Sequence, residues 1–335
     1  MKIGIVTQPL LNNYGGVLQN YALQTILHRL GHCPVTIDYI PPRKPLWKHF
    51  VSCIKNAIYF FLGKNSSLKL RRERFERNAY FSEFVSQKIY KTQVLRKYNL
   101  KKLDDDIDAF VVGSDQVWRP KYNGKNIKEM FLDFCKGNDE IKRIAYAASF
   151  GVDYWEFGPR LTRKCALLAK QFNAVSVREE SGVELCRDYL NIDATWVLDP
   201  TLLLDKEAYC DLCKDVPKKK NILAAYVLNM TAPISAQCET IAKERGLDII
   251  FLGSDSDSTM KVSEWLALFR DASYVVTDSF HGTVFSIIFE KEFKCMCNQS
   301  RGLARVESLL KLYDSGEIEK KQKESLDWLK TALES

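Results

Sequence analysis

Polar side chains that can do chemistry follow several short apolar segments of the sequence, each where a strand would end. The sharpest group follows residues 274–277 and reads Asp278-Ser279-Phe280-His281-Gly282. The chain has four histidines. His281 alone falls at a predicted turn from strand to helix, where an imidazole can hand a proton to a bound substrate. The pattern predicts a general acid at His281, with a structural helix cap as the alternative.

A second polar group follows the apolar segment 108–112. It reads Gly113-Ser114-Asp115-Gln116-Val117-Trp118, and so places a carboxylate, an amide and an indole together. Carboxylate and amide groups hydrogen-bond sugar hydroxyls, and a flat ring covers the apolar face of a sugar. Asp115, Gln116 and Trp118 are therefore candidate sugar-binding residues. A helix-capping Asp and a core Trp are the alternative.

The first predicted strand leads into a loop with two adjacent glycines. The loop and the helix after it contain Asn13, Tyr14, Gly15, Gly16 and Gln19. Glycine lets backbone approach a ligand closely, and free N–H groups at a helix start attract anions. The amide side chains can pair with hydroxyls, so these five residues are further binding candidates. A tight turn without a ligand is the alternative.

An arginine stands at the end of another apolar segment. Arg178 follows Val175-Ser176-Val177 and precedes two glutamates. A guanidinium can clamp a carboxylate or a phosphate with two parallel hydrogen bonds. Arg178 is a candidate anion clamp, and a salt bridge to a neighbouring acid is the alternative.

The elements that must position these groups alternate between strand and helix. Apolar strand patterns occupy residues 2–8, 34–39, 108–113, 143–148, 174–177, 195–198, 221–228, 248–253, 274–277 and 293–297. Helical patterns occupy residues 15–30, 71–86, 162–172, 181–190, 233–245, 263–271, 282–289, 307–312 and 324–333. This alternation predicts an α/β protein with parallel sheets, in which ligands bind at the carboxyl ends of the strands.

The best domain boundary is the polar segment 217–220. We predict two doubly wound, Rossmann-like domains facing each other across a cleft, residues 1–217 and 218–335. The chain length agrees with two domains at about 150 residues each.

Composition excludes several classes of protein. The chain is 46% hydrophobic and 27% charged, with no apolar run long enough for a membrane span and no signal-peptide pattern. We expect a soluble, cytoplasmic protein. Its ten cysteines include two close pairs, Cys210/Cys213 and Cys295/Cys297, but no histidine lies at zinc-ligand spacing beside either pair, so we expect packed thiols and no metal site.

The net charge of +7 is concentrated in one segment. Residues 43–77 hold ten basic and two acidic side chains, which leaves the rest of the chain at −1. Apolar residues in this segment recur at helical spacing. A membrane-surface helix and an ordinary packed amphipathic helix both suit the pattern, and no nucleic-acid motif accompanies it. The membrane candidates are Trp47, Phe50, Ile54, Phe61, Arg71 and Arg72.

Taken together, the motifs resemble the polysaccharide pyruvyl transferase family. The resemblance covers nearly the whole chain and rests on the order and spacing of the groups above. Asp199-Pro200-Thr201 and a late run, Ser300-Arg301 through Leu310, also fit. It implies a fold similar to the two-domain glycosyltransferase type B arrangement.

The resemblance implies an activity as well. The family moves an enolpyruvyl unit from phosphoenolpyruvate, a co-substrate, onto two sugar hydroxyls, with no cofactor and no metal. By position His281 looks like the general acid and Arg178 like the phosphoenolpyruvate clamp. The same resemblance assigns Ser279, Phe280 and Gly282 to the phosphoenolpyruvate side, in residues 218–335. The sugar acceptor falls on the 1–217 side.

One motif departs from the family. Many members have Arg-Leu-His where this chain has Ser279-Phe280-His281. The departure removes an expected cation, for which Arg301 and Arg305 are the candidates.

The basic segment suggests an acceptor sugar on a polyprenyl diphosphate, with the enzyme held at the anionic inner face of the plasma membrane. Two other functions stay open at this stage. One is a glycosyltransferase that uses a sugar nucleotide, and the other is a non-catalytic relative that binds a glycan.

Overall fold

The computed structural model describes residues 1–11, 13–39, 79–96, 106–253, 260–296 and 304–335. The basic segment 43–77 lies outside these residues, and so do all six membrane candidates and Arg301. The labelled strands are β1 (Lys2–Val6), β2 (Cys33–Thr36), β3 (Ala109–Val112), β4 (Lys142–Ala148), β5 (Ala174–Val177), β6 (Thr195–Trp196), β7 (Ile222–Tyr226), β8 (Asp248–Leu252), β9 (Ala272–Thr277) and β10 (Phe293–Cys295).

Helices connect most of these strands. They are α1 (Tyr14–Arg29), α2 (Pro120–Asn123), α3 (Pro159–Ala169), α4 (Glu180–Leu185), α5 (Lys206–Leu212), α6 (Ala232–Arg245), α7 (Val262–Asp271), α8 (Phe280–Ile288), α9 (Ala304–Asp314) and α10 (Ile318–Glu334). Residues 79–88 are also helical, and a short 3₁₀ helix, Pro200–Leu203, follows β6.

The strands form two parallel sheets. The first has the order β2-β1-β3-β4-β5-β6 and the second has the order β10-β9-β7-β8. Every pairing of neighbouring strands within each sheet is parallel, so the carboxyl ends of all strands of a sheet lie at one edge. The strand order reverses between β1 and β3, and again between β7 and β9. Loops at such reversals leave a crevice in which ligands bind.

Both faces of each sheet are covered. Side chains of β3 alternate between two apolar clusters, since Ala109 and Val111 join one and Phe110 and Val112 join the other. The strands are buried on both sides and are apolar throughout, as parallel strands require. The predicted α/β class with doubly wound parallel sheets is confirmed.

The predicted strands are found in place, with ends that differ by a few residues. Strand β2 ends at Thr36, three residues before the predicted end. Helix α8 begins at Phe280, two residues earlier than predicted, and this places His281 in its first turn.

The domain division at residue 217 stays a prediction. One apolar cluster includes residues from Ile3 to Leu333 and so joins both halves of the chain. The last helix, α10, returns to the first sheet: Ser325 Oγ accepts a hydrogen bond from the Leu198 backbone N–H at 2.9 Å, and Lys142 Nζ donates to the Leu333 carbonyl at 2.8 Å.

An aromatic stack joins the start of α1 to α7. The Tyr14 and Trp265 rings lie 5.2 Å apart and nearly parallel, at 10°. The Tyr14 hydroxyl also donates to the Met260 carbonyl at 2.8 Å. Trp265 is fully buried and contacts Tyr226 and Phe285 edge-on. This stack fixes the first loop of one sheet against the helix layer of the other.

Trp265→Ala should lower the free energy of unfolding by about 3–5 kcal/mol, because it removes a fully buried ring and leaves a cavity. Urea unfolding measures the change. Leu167→Ala is the control, since that side chain is 67% exposed and its loss should cost less than about 0.5 kcal/mol. Equal losses for the two variants would contradict the role given to the stack.

Candidate functional site

A buried ion pair links the ends of β5 and β6. Arg178 is the first residue after β5, and Asp199 lies three residues beyond the end of β6. Both are buried, with 3% of Arg178 and 1% of Asp199 exposed. Arg178 Nη1 lies 2.6 Å from Asp199 Oδ2. The strands are parallel neighbours, so their carboxyl ends deliver the two side chains to one point.

Asp199 receives hydrogen bonds on both oxygens. Ser114 Oγ donates to Oδ2 at 2.9 Å, and the Thr201 backbone N–H and hydroxyl donate to Oδ1 at 3.0 and 2.6 Å. Burial opposes the charge, but His281 and Arg178 outweigh that penalty and hold the pKa of Asp199 well below its usual range. Asp199 is therefore ionised at neutral pH.

His281 brings the second sheet to the same carboxylate. It follows β9 in the first turn of α8, and its Nε2 lies 3.7 Å from Asp199 Oδ2. That distance is too long for a hydrogen bond, so the attraction is that of an ion pair whenever the imidazole is protonated. The ring is only 7% exposed.

The first glycine loop covers the other side of this imidazole. A Cβ built on Gly15 would lie 1.9 Å from His281 Nδ1, a distance that no real contact allows. Gly15 is therefore required for the backbone of α1 to lie against the ring. The predicted backbone approach is found here, although the group approached is His281 itself.

Phe280 contacts two guanidinium groups. Arg178 lies 4.4 Å from the centre of the Phe280 ring and Arg305, in the first turn of α9, lies 5.7 Å from it. Burial, followed by the charge of Arg178, lowers the pKa of Arg305 to about 10. Both cations face the negative π-surface of one ring. Arg305 thus stands beside Arg178, where a cation was expected to replace the one missing at Ser279.

The site holds buried donors that are not used within the described residues. Arg178 Nε and Nη2 and His281 Nε2 have no hydrogen-bond partner there. Arg178 Nη2 comes within 3.7 Å of Asp115 Oδ1, an ion-pair distance. Buried polar atoms in native proteins are normally hydrogen-bonded, so these donors have the chemistry to bind an anionic group.

Four sugar-binding candidates lie together: Asn13, Gly16, Asp115 and Gln116. Asn13 Nδ2 donates to Asp115 Oδ2 at 3.2 Å, which joins the loops after β1 and β3 at the strand reversal. Gln116 is half-buried, and its Oε1 accepts from Arg119 Nη1 at 2.9 Å. Gly16 packs against Asn13, with a built Cβ 2.9 Å from its Nδ2.

Three other candidates are packed or hydrogen-bonded within the fold, and their role as ligand contacts stays a prediction. Trp118 is fully buried, stacked on Phe131, and donates to the Met130 carbonyl, so its ring has no open face. Tyr14 is buried in the stack described above.

The third is Gln19. Its side chain is fully buried, donates to Thr7 Oγ1 and accepts from the Ser114 backbone N–H at 2.9 Å. It positions the loop that carries Ser114 and Asp115.

Ser279 and Gly282 shape the turn that presents His281. The Ser279 backbone N–H donates to Thr277 Oγ1 at 3.1 Å. A Cβ on Gly282 would lie 2.0 Å from the same Thr277 oxygen. Only glycine fits there, so the strand can turn sharply into α8.

Sequence reasoning gave no role to Asp199, which is the central group of the site. Its signal was present, since an acid followed by proline at a strand end is placed at the ligand edge of a parallel sheet. Glu179 was also missed: it is fully buried, and its Oε1 accepts from Ser149 Oγ and from the backbone N–H groups of Phe150 and Gly151.

Across the described ranges, no cluster of three or more His, Cys, Asp or Glu side chains is arranged to ligate a metal ion. In the same ranges, none of the helices combines the length and the apolar character of a membrane span.

The fold and the site together define an α/β protein in which buried charged side chains from two parallel sheets meet at one point. The sequence model of the family described as polysaccharide pyruvyl transferase matches residues 13–296, well over half of the chain. The chain belongs to the polysaccharide pyruvyl transferase family and is a transferase of polysaccharide biosynthesis.

Solved structures with a similar arrangement are distant. An α-glucosyltransferase in complex with UDP and a mismatched 13-mer DNA matches with a TM-score of 0.48 and 11% identity, over 98% of this chain and 95% of that one. The N-terminal domain of Candida albicans trehalose-6-phosphate phosphatase matches with a TM-score of 0.37 and 11% identity, over 99% and 97%. No curated protein matches the sequence.

Gly15→Ala should displace the imidazole of His281, because the added carbon overlaps the ring, and should cost about 1–3 kcal/mol of stability. Histidine ring signals in NMR spectra report the shift, with His28 and His32 as internal controls. Gly158→Ala is the matched variant, since nothing lies within 4 Å of its added carbon. A His281 signal that stays in place would contradict the contact.

The depressed pKa of Asp199 predicts how stability depends on pH. As the pH falls, the Asp199 carboxyl becomes protonated at a higher pH in the unfolded chain than in the folded chain. The stabilisation of the folded chain by the ionised carboxylate is therefore present at neutral pH and is lost as the pH falls below about 4. Asp199→Asn should reduce the slope of the free energy of unfolding against pH, on the acid side, by up to about 1.4 kcal/mol per pH unit. Urea unfolding between pH 6 and pH 3 measures this slope.

Asp188→Asn is the control for the pH experiment, since this acid has a side chain that is 53% exposed. It should leave the acid slope unchanged. An Asp199→Asn slope equal to that of the original chain would show that the carboxylate gains nothing from its surroundings.

Proposed function

We propose that this protein transfers the enolpyruvyl unit of phosphoenolpyruvate to two hydroxyls of a sugar. The product is a cyclic pyruvate ketal on a precursor of a bacterial surface polysaccharide, and phosphate is released. One observation carries the proposal: buried Arg178 and His281 hold unused donors around one carboxylate, beside a second buried guanidinium.

The charge of the site suits this donor. Phosphoenolpyruvate carries a carboxylate and a phosphate, and each can take paired hydrogen bonds from a guanidinium. Asp199 pairs with Nη1 of Arg178, while Nε has no hydrogen-bond partner within the described residues and Nη2 has only the 3.7 Å ion-pair contact with Asp115, so both can donate to the ligand. We assign Arg178 and Arg305 to its two anionic groups.

In the first step His281 is the general acid. Its Nε2 proton passes to C3 of the enol, which becomes a methyl group, and C2 becomes an oxocarbenium-like centre. A sugar hydroxyl adds to C2 and gives up its proton, which restores the imidazolium. Asp199 stabilises the charged ring and fixes its orientation.

In the second step the bond from C2 to the phosphate oxygen breaks, and the electron pair leaves with the phosphate. The second hydroxyl adds to C2 and closes the ring, and its proton leaves with the phosphate. The balance is complete: one proton ends on carbon and one on phosphate. The steps as written use no metal or cofactor.

The acceptor side is formed by the loops after β1 and β3. Asp115 and Asn13 are joined by a hydrogen bond and offer acceptor and donor groups to sugar hydroxyls, with Gln116 beside them. A sugar held there faces the site of Arg178, because Asp115 also pairs with that guanidinium.

We further propose that the acceptor sugar is carried on a polyprenyl diphosphate and that the basic segment 43–77 draws the enzyme to the inner face of the plasma membrane. The composition of that segment supports this. Comparing a lipid-linked acceptor with a free sugar tests the assignment.

His281→Ala should lower phosphate release from phosphoenolpyruvate at least about 100-fold, since general acid catalysis is worth about 10²–10⁴. Phosphate is measured with the original chain and the variant across galactosides, glucosides and mannosides. His28→Ala is the control because that side chain is exposed. Unchanged release in folded His281→Ala would falsify the acid role.

The same assay separates the other candidate functions. Transfer from a sugar nucleotide without use of phosphoenolpyruvate would identify a glycosyltransferase. Sugar binding without any phosphate release would identify a non-catalytic relative.

A further inference from the structure

Tyr122 places an exposed aromatic ring next to the acceptor side of the site. It lies in the short helix α2, which directly follows the loop that carries Asp115 and Gln116, and it is 52% exposed. Trp118 of the same loop is fully buried. Of these two rings, Tyr122 is therefore the one that can present a flat face to a ligand.

A buried guanidinium contacts the Tyr122 ring. The Arg119 guanidinium lies 5.0 Å from the centre of the Tyr122 ring, and Arg119 is only 2% exposed. Its Nε and Nη2 donate to both oxygens of Glu156 at 3.2 Å, and its Nη1 donates to Gln116 Oε1 at 2.9 Å. A guanidinium held by two partners is a rigid support, and the cation–π contact fixes the tyrosine ring on it.

The backbone under the ring is also braced. Asn123 Nδ2 donates to the Val117 carbonyl at 2.7 Å, and Asn123 Oδ1 accepts from Gln8 Nε2 at 3.0 Å. These bonds tie α2 to the loops after β1 and β3. The ring is thus presented by a fixed turn, which limits the entropy that a ligand must overcome when it binds.

Tyr122 and Gln116 share one support. Arg119, whose guanidinium contacts the Tyr122 ring, donates from Nη1 to Gln116 Oε1 at 2.9 Å. Asp115 precedes Gln116 in the same loop and accepts from Asn13 Nδ2 at 3.2 Å. A ligand between the ring and the carboxylate would approach the anion-binding site.

We propose that Tyr122 is an acceptor-binding residue whose ring stacks on the apolar C–H face of a hexopyranose, while Asp115 and Gln116 bind its hydroxyls. This inference rests on the proposed function and adds a specificity element to it. A pyranose with its C–H bonds on one face matches a flat ring, and a flexible open-chain acceptor does not.

The test measures sugar binding apart from catalysis. Methyl galactoside, glucoside and mannoside are offered to the chain in the absence of phosphoenolpyruvate, and saturation-transfer NMR gives affinity and the protons in contact. Tyr122→Ala should weaken binding of the preferred sugar at least about tenfold, a loss typical of one aromatic contact. Tyr122→Phe should keep the affinity, since stacking does not need the hydroxyl.

Tyr90→Ala is the matched control. That residue is 68% exposed and lines a cavity with Lys2 and Asp108, at the amino ends of β1 and β3, so its loss should not change sugar binding. The KM for phosphoenolpyruvate and the thermal midpoint should be the same in all three variants as in the original chain.

Two results would overturn the inference: sugar affinity unchanged in Tyr122→Ala, or no binding of any of the three sugars to the original chain. Neither depends on phosphoenolpyruvate turnover. If sugar binding did not depend on Tyr122 but phosphate release still depended on His281, the proposed function would stand. If sugar binding depended on Tyr122 but no phosphate were released, the proposed pyruvyl transfer would fail and Tyr122 would remain a sugar-binding residue.

Discussion

A single buried carboxylate organises the site. Asp199 binds Arg178 from the neighbouring strand, lies within ion-pair distance of His281 from the second sheet, and takes hydrogen bonds from Ser114 and Thr201. Its oxygens are fully enclosed, so each charge near it is felt at low dielectric. Without Asp199 the guanidinium and the imidazole would repel each other whenever both are charged.

Burying so many charges is costly unless each is paired. Asp199 meets one edge of Arg178 but leaves other donors unused within the described residues. Arg178 and Arg305 also lie within the influence of Asp115 and Glu179, so the two guanidinium groups are surrounded by three carboxylates. The unused donors of Arg178 are the basis of the proposed phosphoenolpyruvate site.

The contact of Gly15 with His281 joins the first glycine loop to the proposed proton donor. The same loop begins with Asn13, which binds Asp115, and continues into Tyr14, which stacks on Trp265. One short segment therefore touches Asp115, His281 and the helix layer of the second sheet. In the proposed mechanism this segment would hold the sugar and the imidazole at a constant separation, and rate depends strongly on that geometry.

The local patterns of the sequence were sufficient for the fold class, for the order of the strands and helices, and for the strand-end groups at Asp115, Arg178 and His281. These features can be predicted because they depend on hydrophobic periodicity and on the turn preferences of Gly, Pro, Asn and Asp, which act over a few residues. The family motifs added the chemistry expected of these groups.

What the sequence by itself determined was therefore which elements form and which polar residues stand at their carboxyl ends. Tertiary structure alone decided that Trp118, Tyr14 and Gln19 turn into the core. A loop has no regular periodicity, so its sequence does not show which side chains face the core until both sheets are packed. It also decided that Asp199 is the common partner of Arg178 and His281. The reason is physical: those residues are distant in sequence, and only the register of the parallel strands and the packing of two sheets bring their charges to one point.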